Sequence, residues 1–176
     1  KQQLIALLKE KSVRTGKFTL ASGKESTFYV DARQTTLNAR GAHLIAELIL
    51  DCLEPSVQGV GGPVTGADPI AGAVAQLSHI KGVPRHGFMV RKEPKGHGAN
   101  NWVEGRNNLP DGAHLCVIED TVTTGGSLLR AVGKLEELGY KVVQCITVVD
   151  REEGAKKRIE TAGYPYVSLV TKSELI

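Results

Sequence analysis

One stretch constrains this chain more than any other: Val117-Ile118-Glu119-Asp120-Thr121-Val122-Thr123-Thr124-Gly125-Gly126-Ser127. Its apolar start belongs to a buried strand, Leu115 to Glu119, that ends in two acids. Threonines and glycines then form a tight turn, and a helical pattern runs from Ser127 to Leu138 with Gly139 as its C′ residue. In such a turn the backbone N–H groups, the hydroxyls of Thr123, Thr124 and Ser127, and the helix N-terminus all converge on one point. That arrangement suits a phosphate, and the helix end adds roughly half a positive charge. The Gly-Lys-Ser/Thr ending of a Walker loop is missing, and so is the dinucleotide G-x-G-x-x-G. Glu119 and Asp120 therefore have another task beside the phosphate: accepting hydrogen bonds from ribose hydroxyls, or orienting a hydrated magnesium ion. The plain alternative is a pair of solvated turn acids. The order strand, acids, Thr-Thr-Gly-Gly-Ser, helix favours the ligand.

The rest of the chain supplies a frame for that turn. Apolar spacing predicts helices over Gln2 to Lys11, Ala39 to Leu53, Pro69 to Leu77 and Gly154 to Ala162. Short apolar runs predict strands at Phe18 to Leu20, Thr27 to Asp31, Val57 to Gly62, Gly87 to Val90, Val142 to Val149 and Tyr166 to Val170. Alternation of apolar strands with helices predicts an α/β fold, a parallel sheet flanked by helices. Its ligands bind at the C-terminal edge of the strands, where Gly61-Gly62, Arg91-Lys92, Glu119-Asp120 and Asp150-Arg151 fall. Lys92 to Asp111 is rich in Gly, Asn, Pro and charge and too long for an ordinary connection, so it reads as a functional or a disordered loop.

Composition bounds the function. A chain of 176 residues suits one domain, 1–176. A net charge of +3, with no long basic stripe or aromatic platform, argues against nucleic acid as a partner. Cys52, Cys116 and Cys145 follow no metal-ligand spacing and sit in apolar runs, as reduced buried thiols do. No apolar run is long enough to span a membrane and no secretory pattern opens the chain, so the expected location is cytoplasmic, with no membrane partner.

The turn resembles the binding motif for phosphoribosyl diphosphate (PRPP) of the type I phosphoribosyltransferases. The resemblance implies that Glu119 and Asp120 hold the ribose hydroxyls, and that Thr121, Val122, Thr123, Thr124, Gly125, Gly126 and Ser127 bind PRPP, with Thr123 to Ser127 around its 5-phosphate. Three further segments are similar to the orotate phosphoribosyltransferases. Phe18 to Lys24 followed by Phe28-Tyr29-Val30-Asp31 resembles their N-terminal hood, here 1–36. Arg91-Lys92-Glu93-Pro94-Lys95-Gly96-His97-Gly98 resembles their mobile catalytic loop, here 91–111. Asp150-Arg151 resembles the site of their orotate-binding arginine. The resemblance implies PRPP contacts from Arg91, Lys92, Lys95 and His97 and catalytic roles for Lys95, His97 and Asp120. It also implies a homodimer in which the 91–105 loop reaches the neighbouring site. Magnesium is implied as the cofactor, held mainly through PRPP and water, near Glu119 and Asp120.

The chemistry of the residues agrees with these roles. PRPP carries two phosphorylated ends, and Arg91, Lys92, Lys95 and His97 concentrate positive charge after one strand, with Gly96 and Gly98 to let a lid close. Orotate carries a carboxylate, which Arg151 can pair with; the competing reading is a surface arginine paired with Glu152 or Glu153. Thr123 offers backbone groups to the base edge, and Tyr29 either packs on the ring or fills the core. Two departures from the family stand out: Ala21 and Thr65-Gly66 occupy places where many members have a lysine and a Tyr-Lys pair. Val64 to Asp68 is left to meet the diphosphate through backbone N–H groups, with Lys24 or Arg33 as candidate replacements for the missing charge. The rival functions are transfer to a purine base and a PRPP-sensing regulator of the same fold.

Overall fold

The computed structural model describes residues 1–19, 25–94 and 102–176. The chain runs α1 (Gln2–Lys11), an antiparallel pair β1 (Val13–Thr19) and β2 (Glu25–Val30), a short α2 (Arg33–Thr36), α3 (Ala39–Cys52), β3 (Gly59–Pro63) and α4 (Asp68–Ile80). It continues with β4 (His86–Val90), β5 (Val103–Glu104), a 3-10 turn at Arg106–Asn108, β6 (His114–Val122) and α5 (Gly126–Glu137). The last elements are β7 (Lys141–Asp150), α6 (Ala155–Thr161), β8 (Tyr166–Thr171) and α7 (Lys172–Leu175).

Five of the six strands of the main sheet are parallel, in the order β5-β4-β3-β6-β7-β8 with β5 antiparallel at one edge. The expected α/β architecture holds, with β1–β2 forming the small N-terminal addition. Helices cover both faces. On one side Leu4 and Leu8 of α1, Ile45 and Ile49 of α3 and Ile70 and Val74 of α4 pack against Val60, Ile118, Ile146 and Val148. On the other, Leu128, Val132 and Leu135 of α5 and Ile159 of α6 pack with Phe88, Leu115, Val117 and Cys145. Strands covered on both faces need apolar residues at successive positions, which is why β6 and β7 read as continuous apolar runs. α3 starts where the Asn38 side chain accepts the Gly41 N–H at 3.1 Å, an N-cap bond.

This topology places the ligand edge. Order reverses between β3 and β6, which are neighbours, while α4 after β3 and α5 after β6 pack on opposite faces. The loops after these strands diverge and leave a crevice at the switch point.

Several boundaries differ from the sequence expectation. β6 continues to Val122, so Glu119 and Asp120 lie within the strand and not at its end. The extension has a partner, since Thr121 and Val122 stay in register with Val149 and Asp150 of β7. The region expected as one loop to Asp111 is partly structured: Val103 and Glu104 pair with Val90 and Met89, and Arg91 N–H donates to Trp102 O at 2.8 Å. Residues 89–91 and 102–104, the two ends of this segment, are therefore held together. Of the cysteines, Cys116 and Cys145 are buried, Cys52 is half-buried and all are free. Among the described residues no helix is long and apolar enough to cross a membrane.

Candidate active site

The turn after β6 is the centre of the site. Gly125 adopts a left-handed conformation (φ 74°) as the N-cap of α5, which turns the chain sharply from strand to helix. A Cβ there would also press on Ile159 of α6. Among the described residues, the N–H groups of Thr123, Thr124 and Gly125 have no backbone acceptor, and the first N–H groups of α5 have none by helical geometry. These are the donors an anion would meet. One carbonyl faces away from the turn, with Thr124 O accepting from Arg158 Nη1 at 3.4 Å.

Neighbours on a strand project to opposite faces, and Glu119 and Asp120 do so. Glu119 points to the α5 side, where Ser127 hydrogen-bonds to its carboxylate and Arg130 adds favourable charge. Burial outweighs both and pushes Glu119 up to about 7. Asp120 lies on the other side, against Gly66, where a Cβ would overlap its carboxylate. Its Oδ1 accepts the Thr121 N–H at 2.8 Å. Burial raises Asp120, while that bond and the charge of Arg33 hold it down. Thr121 Oγ1 is buried and lacks a hydrogen-bond partner among the described residues.

The loop after β3 faces Asp120. Val64 N–H donates to Val90 O (3.0 Å), Ala67 N–H to Pro63 O (3.3 Å) and Asp68 N–H to Thr65 O (3.3 Å). Of the segment expected to meet a diphosphate, this leaves Thr65 and Gly66 with N–H groups that have no such acceptor among the described residues. Their position beside Asp120 comes from the β3–β6 pairing, which neither segment reveals alone.

The N-terminal addition reaches the same crevice. Arg33 pairs with Asp31 at 2.9 Å, and its guanidinium lies within the electrostatic reach of Asp120 and Tyr29. Tyr29 does not fill the core: Phe28 and Val30 are buried, while Tyr29 projects to the opposite face and is 36% exposed.

Arg151 follows β7 directly, and its N–H donates to Val122 O at 3.0 Å, so it is tied to the residue before the turn. Its side chain is 15% exposed, and Nη2 pairs with Glu153 Oε1 at 3.1 Å. Arg151 Nε is buried and unpartnered among the described residues. Behind it the turn is anchored: buried Asp150 accepts from Tyr166 Oη (2.9 Å) and from the Glu152 N–H (2.7 Å).

Arg91 and Lys92 stand at the neck of the long loop, where Arg91 Nη1 binds Glu104 Oε1 at 3.0 Å. Lys95 and His97, given catalytic roles by resemblance, lie outside the described residues, as do Ala21 and Lys24. Between the neck and α5 lies a cavity of about 560 Å³, lined among others by Arg91, Lys92, Trp102, Ser127, Arg130 and Lys134. It shares Ser127 with the turn. Arg130 and Lys134 are spaced i, i+4 on α5, a signal of a common face that the sequence reading passed over. Lys134 Nζ sits over the Trp102 ring, 4.6 Å from its centre.

A switch-point crevice holding a strand-borne acid pair and an anion-receiving turn is the type I phosphoribosyltransferase fold with its loop in place. Comparison with known proteins agrees: residues 33–163 match the phosphoribosyl transferase domain family. The chain is 45% identical over 175 residues to an orotate phosphoribosyltransferase of Thermosynechococcus vestitus, covering 99% of this chain and 92% of that protein. It superposes with a TM-score of 0.85 on the Mycobacterium tuberculosis H37Rv orotate phosphoribosyltransferase in complex with Fe(III) dicitrate, at 40% identity and 98% and 97% coverage. For the PRPP complex of the M. tuberculosis enzyme the TM-score is 0.80, at 38% identity and 98% and 96% coverage. The chain belongs to the orotate phosphoribosyltransferase family.

Proposed function

We propose that this protein transfers the phosphoribosyl group of PRPP to orotate, giving orotidine 5′-monophosphate and diphosphate, a step of UMP synthesis. The observation that supports the reading is the bond from the Arg151 N–H to Val122 O, which keeps a residue able to pair with a carboxylate beside the turn read as the phosphate site.

The reaction is displacement at the ribose anomeric carbon, with orotate N1 attacking and diphosphate leaving. Positive charge develops on the sugar and negative charge on the leaving group, so positioning and electrostatics do most of the work. Thr123 to Ser127 receive the 5-phosphate through N–H groups and hydroxyls. Asp120 and Glu119 accept the ribose hydroxyls. Thr65 and Gly66 N–H groups, with Arg91 and Lys92, face the diphosphate. Lys95 and His97 complete its neutralisation when the 91–105 loop closes. Tyr29 and the Thr123 backbone flank the base.

Magnesium fits this reading as an ion carried by substrate. Among the described residues no group of three or more His, Cys, Asp or Glu is gathered for a metal. Magnesium keeps several waters and needs one or two carboxylates, which Glu119 and Asp120 can supply beside PRPP oxygens. When bound, it neutralises charge building on the diphosphate.

The reading includes a cytoplasmic homodimer in which each 91–105 loop serves the neighbouring site. The test is to mix protein, orotate, PRPP and magnesium and follow loss of orotate absorbance with release of diphosphate. Turnover that needs all three supports the reading. Turnover only with a purine base, or PRPP binding without any turnover, overturns it. Sedimentation of the purified chain checks the dimer.

A further inference from the structure

Two consecutive acids follow Arg151, and the structure gives them different tasks. Glu152 is an anchor: its carboxylate accepts from Ser173 N–H (2.8 Å) and from the Ser173 hydroxyl at the start of α7. Its N–H is held by Asp150, and its backbone lies in the left-handed region at φ 59°. A glutamate adopts that conformation only when its surroundings hold it there. The turn is therefore built, and it sets Arg151 and Glu153 on either side of one fixed residue.

Glu153 meets Arg151 incompletely. It pairs with Nη2 at 3.1 Å, while Arg151 Nε is buried without a hydrogen-bond partner among the described residues. An arginine offers a planar fork, and a carboxylate that fits it takes two parallel bonds. A buried donor left unmatched is costly, so exchanging Glu153 for a carboxylate that also reaches Nε is favourable. Glu153 is 45% exposed against 15% for Arg151, so it is the partner free to swing into water.

We propose that Glu153 is a placeholder for the substrate carboxylate. It neutralises Arg151 in the free enzyme and is displaced when orotate binds, an inference that rests on the orotate reading above. The device has a physical purpose. A largely buried guanidinium next to a phosphate site would otherwise capture phosphate or diphosphate in the place of the base. A counter-charge within the protein discourages that, and a ligand bearing its own carboxylate replaces it like for like. Orotidine 5′-monophosphate keeps the carboxylate, so the same exchange applies to the product in the reverse reaction.

The experiment is steady-state kinetics of the full chain with Glu153→Gln, in both directions. Half-exposed ion pairs are weakly held, so the expected effect is a few-fold. KM for orotate and for orotidine 5′-monophosphate should each fall by roughly 3- to 10-fold. KM for PRPP and for diphosphate should stay at the wild-type value. On an Arg151→Ala background the same substitution should change nothing, because there is no guanidinium left to release. An unchanged or raised KM for orotate in an otherwise active Glu153→Gln enzyme overturns the placeholder, the raised value marking Glu153 as a positioning residue for Arg151. A wild-type enzyme that does not turn over orotate overturns the underlying reading and the proposal together.

Discussion

Gly66, on the loop after β3, lies so close to Asp120 of β6 that a Cβ at position 66 would overlap the Asp120 carboxylate. With the acid where it lies, position 66 has no room for a side chain. The contact also gives Asp120 a fixed wall on one side.

Gly66→Ala should therefore push the carboxylate aside. Overpacking of this kind costs about 1–3 kcal/mol, or a melting temperature lower by roughly 2–12 °C for a chain of this size. Displacing a positioning group also raises the KM for PRPP, on the order of 10- to 100-fold. Thermal melts and PRPP kinetics check both, and a variant with wild-type PRPP kinetics would remove Asp120 from the ribose site.

Glu119 supplies a pH dependence. Burial raises it from an ordinary 4.5 to about 7 in the folded chain. Between those values the folded state holds a proton that the unfolded state has released, so stability falls as pH rises from about 4.5 to about 7 and then levels. Glu119→Gln removes this contribution. Melting curves in metal-free buffer across that window should decline less steeply for the variant than for the wild type. Parallel curves would mean that Glu119 does not titrate there.

Tyr166 anchors the turn that carries Arg151 through Asp150. Tyr166→Phe leaves buried Asp150 Oδ2 without its hydroxyl donor. An unmatched buried acceptor costs about 1–3 kcal/mol, so the melting temperature should drop by roughly 2–12 °C. Asp150 also holds the Glu152 N–H, so the loss should loosen the turn that carries Arg151 and raise the KM for orotate more than that for PRPP. Equal changes in both would show that the turn does not depend on this bond.

Lys95, assigned by resemblance to the loop that closes over the site, is checked by turnover. Lys95→Ala should lower kcat by about 10²- to 10³-fold, the range for losing one key electrostatic donor. An unchanged kcat would take it out of catalysis.

Much of the fold was legible before any coordinates. α1 spans Gln2–Lys11 as its apolar spacing predicts, and α3 matches to within a residue, because helical periodicity and caps are local signals. Strand ends were less legible. β6 runs three residues past Glu119 because β7 continues beside it, and a pairing partner is not written in the strand's own residues. β5 was missed for the same reason: two residues become a strand only by returning to Met89 and Val90.

The site divides along the same line. The chain alone carried the Thr-Thr-Gly-Gly-Ser turn, the acids and the arginine after β7, since these depend on residue types at short spacing and on backbone preferences within a few residues. The fold decided how they meet. It sent Glu119 toward Ser127 and Asp120 toward Gly66, tied Arg151 to Val122, turned Tyr29 away from the core and gave Arg151 to Glu153. Those relationships come from packing and ladder register between segments far apart in the chain, where the free energy belongs to the pair and neither member encodes it alone.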